Sequence, residues 1–235
     1  MSHTLRVASY NLRDFKDDVQ AAARVVRAID PDVLCLQEVP RRLFSAPRVA
    51  RFADHCGLRW SGGHRGPGVL RGPAGRGSGG TTVMWRPELA VSRVEHHPLK
   101  VAPLSRTRGY AAIQVRLSDS QTVTVLSLHL SLEPAERVAH VATVLAALPP
   151  DPALVVAGDL NEEQDGQAWK ALASRLSIAS HGAPTFPAGS PRRCLDVIFA
   201  TSSLTVVQGY PVELSPTDLV RATDHLPVWV DLELS

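Results

Sequence analysis

Short apolar runs that stop on a polar residue recur along this chain, and they set its predicted elements. Residues 5–10 read as a strand and are closed by Asn11. Residues 17–29 put Val19, Ala22, Ala23, Val26 and Ile29 on one helical face, with Asp17 or Asp18 as cap and Asp30-Pro31 as stop. Residues 33–36 form a second apolar run that hands over to Gln37 and Glu38. A helix is predicted over 48–56, and strands over 81–85, 90–96, 110–117 and 122–128, the last leading into His129. Residues 134–148 read as an amphipathic helix. Pro134 suits its first turn, and Val138, Val141, Ala142, Leu145 and Leu148 align. Residues 154–157 run into Gly158-Asp159-Leu160-Asn161, a helix follows over about 167–176, and the strand at 194–199 carries Asp196 inside it. The last strands are predicted over 204–212 and 227–232, separated by Thr223-Asp224-His225. No solenoid-type repeat is present.

The polar residues at these strand ends are of one chemical kind. Side chains alternate along a strand, so Asp159 and Asn161 point to the same side. An acid and an amide held there can grip a hard cation, a water and a phosphoryl oxygen together. Taken alone, Gly-Asp followed by Asn is also an ordinary turn. The recurrence decides between the two: Asn11, Glu38, His129 and the Asp159/Asn161 pair each close an apolar run, and Asp224-His225 precede the last one. Clefts in α/β proteins form where strands emerge at one edge.

Composition adds a polarity. The net charge of +2 conceals a segment, residues 41–108, that holds thirteen Lys and Arg against three acids, Asp54, Glu88 and Glu95. That segment is built to meet a polyanion, and the rest of the chain supplies the carboxylates. Residues 61–80 hold nine of the sixteen glycines, with Arg65, Arg71 and Arg76 among them. They read as a mobile Gly/Arg-rich loop and not as a phosphate-cradling P-loop, because no Lys-Ser/Thr follows. An apolar content of 44% suffices for a core, and no apolar run is long enough to span a membrane. Because residues 5–10 already read as a strand, no signal peptide is expected. Cys35, Cys56 and Cys194 are odd in number and far apart. That fits reduced thiols in a cytoplasmic protein, and no zinc spacing is present.

Six blocks carry a resemblance: Ser9-Tyr10-Asn11, Leu36-Gln37-Glu38, Ser127-Leu128-His129-Leu130, Gly158-Asp159-Leu160-Asn161, Leu195-Asp196-Val197-Ile198 and Thr223-Asp224-His225-Leu226-Pro227. Together and in this order, the chain resembles the endonuclease/exonuclease/phosphatase superfamily, the DNase I-like metal-dependent phosphoesterases. The resemblance implies one α/β domain over residues 1–235, a four-layer sandwich of two packed mixed β-sheets flanked by helices. It implies a divalent-metal hydrolase of phosphate esters, with Mg²⁺ as cofactor and Mn²⁺ as a substitute. It further implies Glu38 as the main metal ligand, with Asn11 and Asp224 completing or orienting the shell. Asp159 would position and deprotonate the attacking water, and Asn161 would hold that water or a phosphoryl oxygen. A protonated His225 would bind the phosphate, oriented by Asp196, and His129 would be the second imidazole there. Arg108 or Arg106 would add a guanidinium clamp.

Other residues stay ordinary. His55, His64, His96, His97 and His140 fit no block and are read as surface or packing residues, and the four tryptophans as core. The basic middle favours a nucleic-acid substrate, DNA or RNA, acted on by a monomeric nuclease. A phosphatase or phosphodiesterase on a small or lipid phosphate ester shares the same catalytic residues and differs only in the binding surface. A non-catalytic binding protein is the third reading, and no motif position is visibly lost to favour it.

Overall fold

The structure, a computed structural model, describes residues 4–41, 45–62, 79–118, 121–148 and 153–234. The expected mobile loop therefore lies, for residues 63–78 with Arg65, Arg71 and Arg76, outside the described residues. In chain order the elements are β1 (Thr4–Asn11), α1 (Val19–Ile29), β2 (Val33–Gln37), α2 (Ala46–His55), β3 (Arg59–Trp60), β4 (Thr82–Trp85), β5 (Ala90–Leu99), β6 (Arg108–Arg116) and β7 (Thr122–His129). There follow α3 (Pro134–Ala147), β8 (Ala153–Asp159), α4 (Gln167–Ala173), β9 (Ser177–Ile178), β10 (Asp196–Ala200), β11 (Leu204–Val207), α5 (Pro216–Ala222) and β12 (Val228–Leu234).

Strand periodicity builds two mixed six-stranded sheets, ordered β11-β12-β1-β2-β4-β3 and β5-β6-β7-β8-β10-β9. In β1, Leu5 and Val7 face the second sheet, and Ala8 and Tyr10 face helices on the other side. In β8, Val155 and Ala157 face inward while Leu154 and Val156 meet α3 and α4. Strands apolar on both faces read as unbroken hydrophobic runs, which is why the sequence shows runs where half-exposed strands would alternate. The result is four layers: α1, α2 and α5 outside the first sheet, two sheets sharing one core, and α3 and α4 outside the second. This is the DNase I-like sandwich that the motifs imply.

That alternation places the site. Continuing each inward-facing series to its strand end gives Asn11 after Val7 and Ser9, Asp159 after Ala157, and His129 after Ser127. It also gives Asp196 before Ile198. β1 and β2 run parallel, as do β7 and β8, and β10 starts where β8 ends, with Asp196 opposite Asp159. All of these side chains therefore meet where the inter-sheet core opens at one edge. A buried polar layer underlies them: the Gln37 amide nitrogen donates to Ser127 Oγ (3.1 Å) and Ser9 Oγ (3.2 Å), bonding one sheet to the other.

Several boundaries differ from the sequence reading. The strand expected over 204–212 stops at Val207: Gly209 weakens an extended run, Pro211 has no N–H to give a ladder, and Ser215 instead caps α5 through the Asp218 N–H. The buried face of α3 is His140, Val141 and Val144. Val138 and Ala142 point outward, because the helix docks through the His140 ring, whose Nε2 lies 2.7 Å from the Lys100 carbonyl oxygen. The cap of α1 is Asp18, which accepts from the Gln20 and Ala21 N–H groups. Trp85 and Trp169 are buried, and Trp60 and Trp229 only partly so. Among the described residues no helix is long and apolar enough to cross a membrane.

Candidate active site

Asp159 is the hub. Its Oδ1 accepts from the Asn161 N–H (2.8 Å) and its Oδ2 from the Asn11 amide (2.9 Å), so one carboxylate joins the ends of β1 and β8 across the two sheets. His129 Nε2 stands 3.5 Å and His225 Nε2 3.8 Å from the same Oδ2. Burial, and then the neighbouring Asp196 carboxylate, push the Asp159 pKa up to about 6. A carboxylate at that value is poised to exchange protons near neutrality.

His225 is the charged imidazole. Its Nδ1 lies 2.8 Å from Asp196 Oδ2, and both residues are buried. Burial disfavours the imidazolium, but the Asp196 carboxylate outweighs it, with Asp159 and Asp224 adding to the effect, and the pKa rises to about 9. His129 is its opposite. Full burial, with Arg108, His225, Arg106 and Arg41 around it, holds its pKa well below the ordinary imidazole value. The Asn161 amide nitrogen is 3.1 Å from His129 Nε2, which places the imidazole proton on Nδ1, and Nδ1 is buried with no partner among the described residues. His129 thus brings an acceptor and no charge.

Asn161 and Glu38 both sit at left-handed backbone angles, φ 50° and φ 51°. Asparagine tolerates this region, whereas glutamate there stores strain of about 1 kcal/mol or more, a feature that clusters at functional sites. The Asn161 amide nitrogen is taken up by Leu130 O (3.0 Å) and His129, so its Oδ1 is what it offers to the cleft. Glu38 makes no hydrogen bond through its carboxylate among the described residues. Its polar neighbours are Arg106 at 3.7 Å and His129 Nε2 at 3.9 Å. Arg108 is buried, and its Nε donates to the same Leu130 carbonyl (2.9 Å) that holds Asn161. Asp224 is drawn to one side, with its carboxylate 3.2 Å from Arg13 Nε, while the Arg13 N–H donates to Asn11 Oδ1 (3.0 Å).

Two residues escaped the sequence reading. Arg13 ties Asn11 to Asp224 as just described. Thr185, 2% exposed, donates its hydroxyl to Asp196 Oδ2 (2.6 Å) and accepts the Leu195 and Asp196 N–H groups (3.2 Å each). Its carbonyl accepts from the Leu226 N–H (2.7 Å), and the Phe186 ring packs 4.9 Å from the His225 ring. Thr185 thus fixes both members of the Asp196–His225 pair. The available signal was Thr185-Phe186-Pro187, a turn-type triplet with a β-branched hydroxyl and an aromatic ring just before the Asp196 strand. Thr185→Val leaves two buried N–H groups unpaired, so a stability loss of about 1–3 kcal/mol is expected in urea denaturation. The same change should lower kcat in the wild type yet cost little more in a His225→Ala background. Equal losses in both backgrounds would mean that Thr185 acts only on the fold.

Asp159, Asp196 and His225 each offer a ligand atom within 4.8 Å of the others, a buried group able to hold a metal ion. Comparison with known proteins bears on the family and the fold. The model of the Endonuclease/Exonuclease/phosphatase family matches residues 8–225. An endonuclease/exonuclease/phosphatase from Beutenbergia cavernae DSM 12333 superposes with a TM-score of 0.74 at 23% identity, over 99% of this chain and 72% of that one. The human Nocturnin catalytic domain with bound sulfate gives a TM-score of 0.71 at 19% identity, over 100% and 98%. ANGEL2, a 2′,3′-cyclic phosphatase, in complex with adenosine-2′,3′-vanadate, gives 0.70 at 14%, over 99% and 96%. At these identities the likeness concerns the fold. No curated protein matches the chain by sequence.

Proposed function

The chain belongs to the Endonuclease/Exonuclease/phosphatase family, and on that premise we propose that it is a divalent-metal-dependent nuclease hydrolysing phosphodiester bonds of DNA or RNA. The observation that carries this reading is Arg108. It is a guanidinium only 5% exposed, with no ion pair among the described residues, and it lines a cleft of about 430 Å³ beside Glu38. Burying a cation is costly unless an anion meets it. A phosphate in this cleft is such an anion, and the open cleft suits a polymer better than a closed pocket does.

Asp159 takes the proton of a water as its oxygen attacks phosphorus and the P–O ester bond breaks. Asn161 and Asn11 hold Asp159 in place for that transfer, each occupying one carboxylate oxygen. His225, kept charged by Asp196, offsets the negative charge that builds on the phosphoryl oxygens. Arg108 binds the phosphate alongside it, and His129 keeps Asn161 oriented. A carboxylate free of hydrogen bonds on a cleft wall suits a hard cation, so Glu38 would hold Mg²⁺ or Mn²⁺, with Asn11 Oδ1 and Asp224 nearby in the fold. We place the ion there in preference to the Asp159/Asp196/His225 group, where a charged imidazole already balances the carboxylates. When bound, the ion would neutralise phosphate charge and favour departure of the leaving oxygen.

A panel with Mg²⁺ and Mn²⁺ tests the substrate class: plasmid DNA, single-stranded DNA, RNA, abasic duplex, inositol phosphates and sphingomyelin. Nucleic acid should be cleaved, with log affinity falling by about 0.7 to 0.9 per phosphate contact for each decade of salt. Turnover of only a small or lipid ester, with little salt dependence, would replace this reading by the phosphatase one.

A further inference from the structure

The cleft holds more positive charge than one phosphate requires. Its lining includes Lys16, Arg41, Arg106 and Arg108 against two acids, Asp14 and Glu38. Arg106 faces Glu38 at 3.7 Å, but among the described residues Lys16, Arg41 and Arg108 make no ion pair. Arg108 belongs with the Asp159 hub, through the Leu130 carbonyl that it shares with Asn161. Lys16 and Arg41 line the same cleft without a hydrogen bond to Asp159, Asn161 or His225, and Arg41 reaches His129 and Arg108 through its charge alone.

The backbone is built to bring these cations together. Gly79 and Gly80 both have positive φ, 64° and 88°. A Cβ on Gly79 would run into the Arg108 backbone, and one on Gly80 would stand 3.1 Å from Arg41 Nε and 3.2 Å from Arg41 Cδ. The Arg41 side chain therefore lies along one glycine while the start of β6 backs onto the other. Hydrogen bonds from Val39 N–H to Gly80 O (2.9 Å) and from Thr81 Oγ1 to Gly109 O (3.1 Å) pin the pair on both sides. Asp14 N–H donates to Glu38 O (2.6 Å), which holds the segment carrying Lys16 against the same wall. Any side chain at residue 79, and a bulky one at residue 80, would separate the cations. Burial depresses the proton affinity of Arg108, Glu38 and then Asp159 offset part of that, and Arg106 and Arg41 depress it further, so both of these guanidinium groups lie within electrostatic reach of Arg108. Four cations against Glu38 and Asp14 leave an excess of positive charge on this wall, which a further anion would relieve.

We propose that Arg41, seated by the Gly79-Gly80 turn, and Lys16 beside it on the cleft wall form a second phosphate subsite, so that the preferred substrate carries a phosphate next to the scissile diester. This rests on the phosphodiesterase reading and extends it. A single ester would leave the subsite empty, whereas an oligonucleotide or a terminally phosphorylated dinucleotide fills it.

The test compares TpT with its 5′-phosphorylated form pTpT and its 3′-phosphorylated form TpTp, in Mg²⁺, at fixed ionic strength. One of the phosphorylated forms should exceed TpT in kcat/KM by about tenfold or more, mainly through KM, as expected for a hydrogen bond to a charged group. Arg41→Gln and Lys16→Gln, both at exposed positions, should erase that ratio, which a general loss of activity does not move. In parallel, calorimetry should show thymidine 3′,5′-bisphosphate binding about tenfold more tightly than thymidine 5′-phosphate, with the difference lost in Arg41→Gln. Equal kcat/KM for all three diesters, or a gain that survives both substitutions, overturns the subsite. Failure to hydrolyse any of them sinks the phosphodiesterase reading instead. The calorimetry then decides the subsite alone, and equal binding of the two nucleotides overturns it.

Discussion

Asp159→Asn and His225→Ala should each lower kcat by about 10² to 10⁴-fold, the range for a positioned acid–base group. Their pH signatures differ. Turnover requires Asp159 ionised, above about 6, and His225 protonated, below about 9, so the wild-type profile should be a plateau between those limits. Stability should move in step. The His225 pKa is raised on folding, so its contribution is full below about 6.5 and fades as pH rises through about 9. Asp159 is also raised, which for an acid means that its ionised form opposes folding above about 6. Asp159→Asn should therefore lose activity without a lower Tm at pH 8, while His225→Ala should flatten the alkaline decline in stability. Asp196→Asn acts through the 2.8 Å contact to His225, so its loss and that of His225→Ala should not add. A flat pH–rate profile, or additive losses, would contradict these assignments.

Removal of the metal should have an equally large effect. EDTA should abolish turnover, and Mg²⁺ should restore it. Glu38→Gln keeps the size and removes the charge, so it should raise the Mg²⁺ concentration needed for half-maximal rate and leave the denaturation midpoint near wild type. Glu38 lacks a hydrogen bond through its carboxylate, so little native structure depends on that charge. Unchanged activity of Glu38→Gln at limiting Mg²⁺ would move the ion elsewhere, with the Asp159/Asp196/His225 group the first place to look.

The site was more legible in the sequence than several of the elements around it. Asn11, His129, Asp159 and Asp196 sit at strand ends, and strand periodicity alone sends them to the inner face of a sheet. Their recurrence could therefore be read without knowing how the strands pair. Loops carry no such period. Thr185 lies in an irregular segment and Arg13 opens a single 3₁₀ turn, so only tertiary contact reveals what they hold, and Thr185 matters because of Asp196, eleven residues away. The sequence places His129 as a second imidazole beside the phosphate but does not show its protonation state, which burial sets by holding the pKa well below the ordinary imidazole value. Short elements were missed for a related reason. β3 and β9 have two residues each and exist only through pairing with β4 and β10, and α5 was masked by Val206 and Val207 just upstream of its Ser215 cap. The helix α3 shows how a correct period can still misplace the edge of a face: Val141, Leu145 and Leu148 pack inward as expected. Its apolar residues align, yet docking through His140 turns Val138 to solvent.

The most direct test of the account is the cleavage rate of an end-labelled oligonucleotide by wild type and by Asp159→Asn, purified side by side, with and without Mg²⁺. The account predicts Mg²⁺-dependent hydrolysis by the wild type and a loss of at least about 10²-fold in a variant that remains folded. Undiminished cleavage by Asp159→Asn, or no cleavage of the oligonucleotide by the wild type, would contradict it.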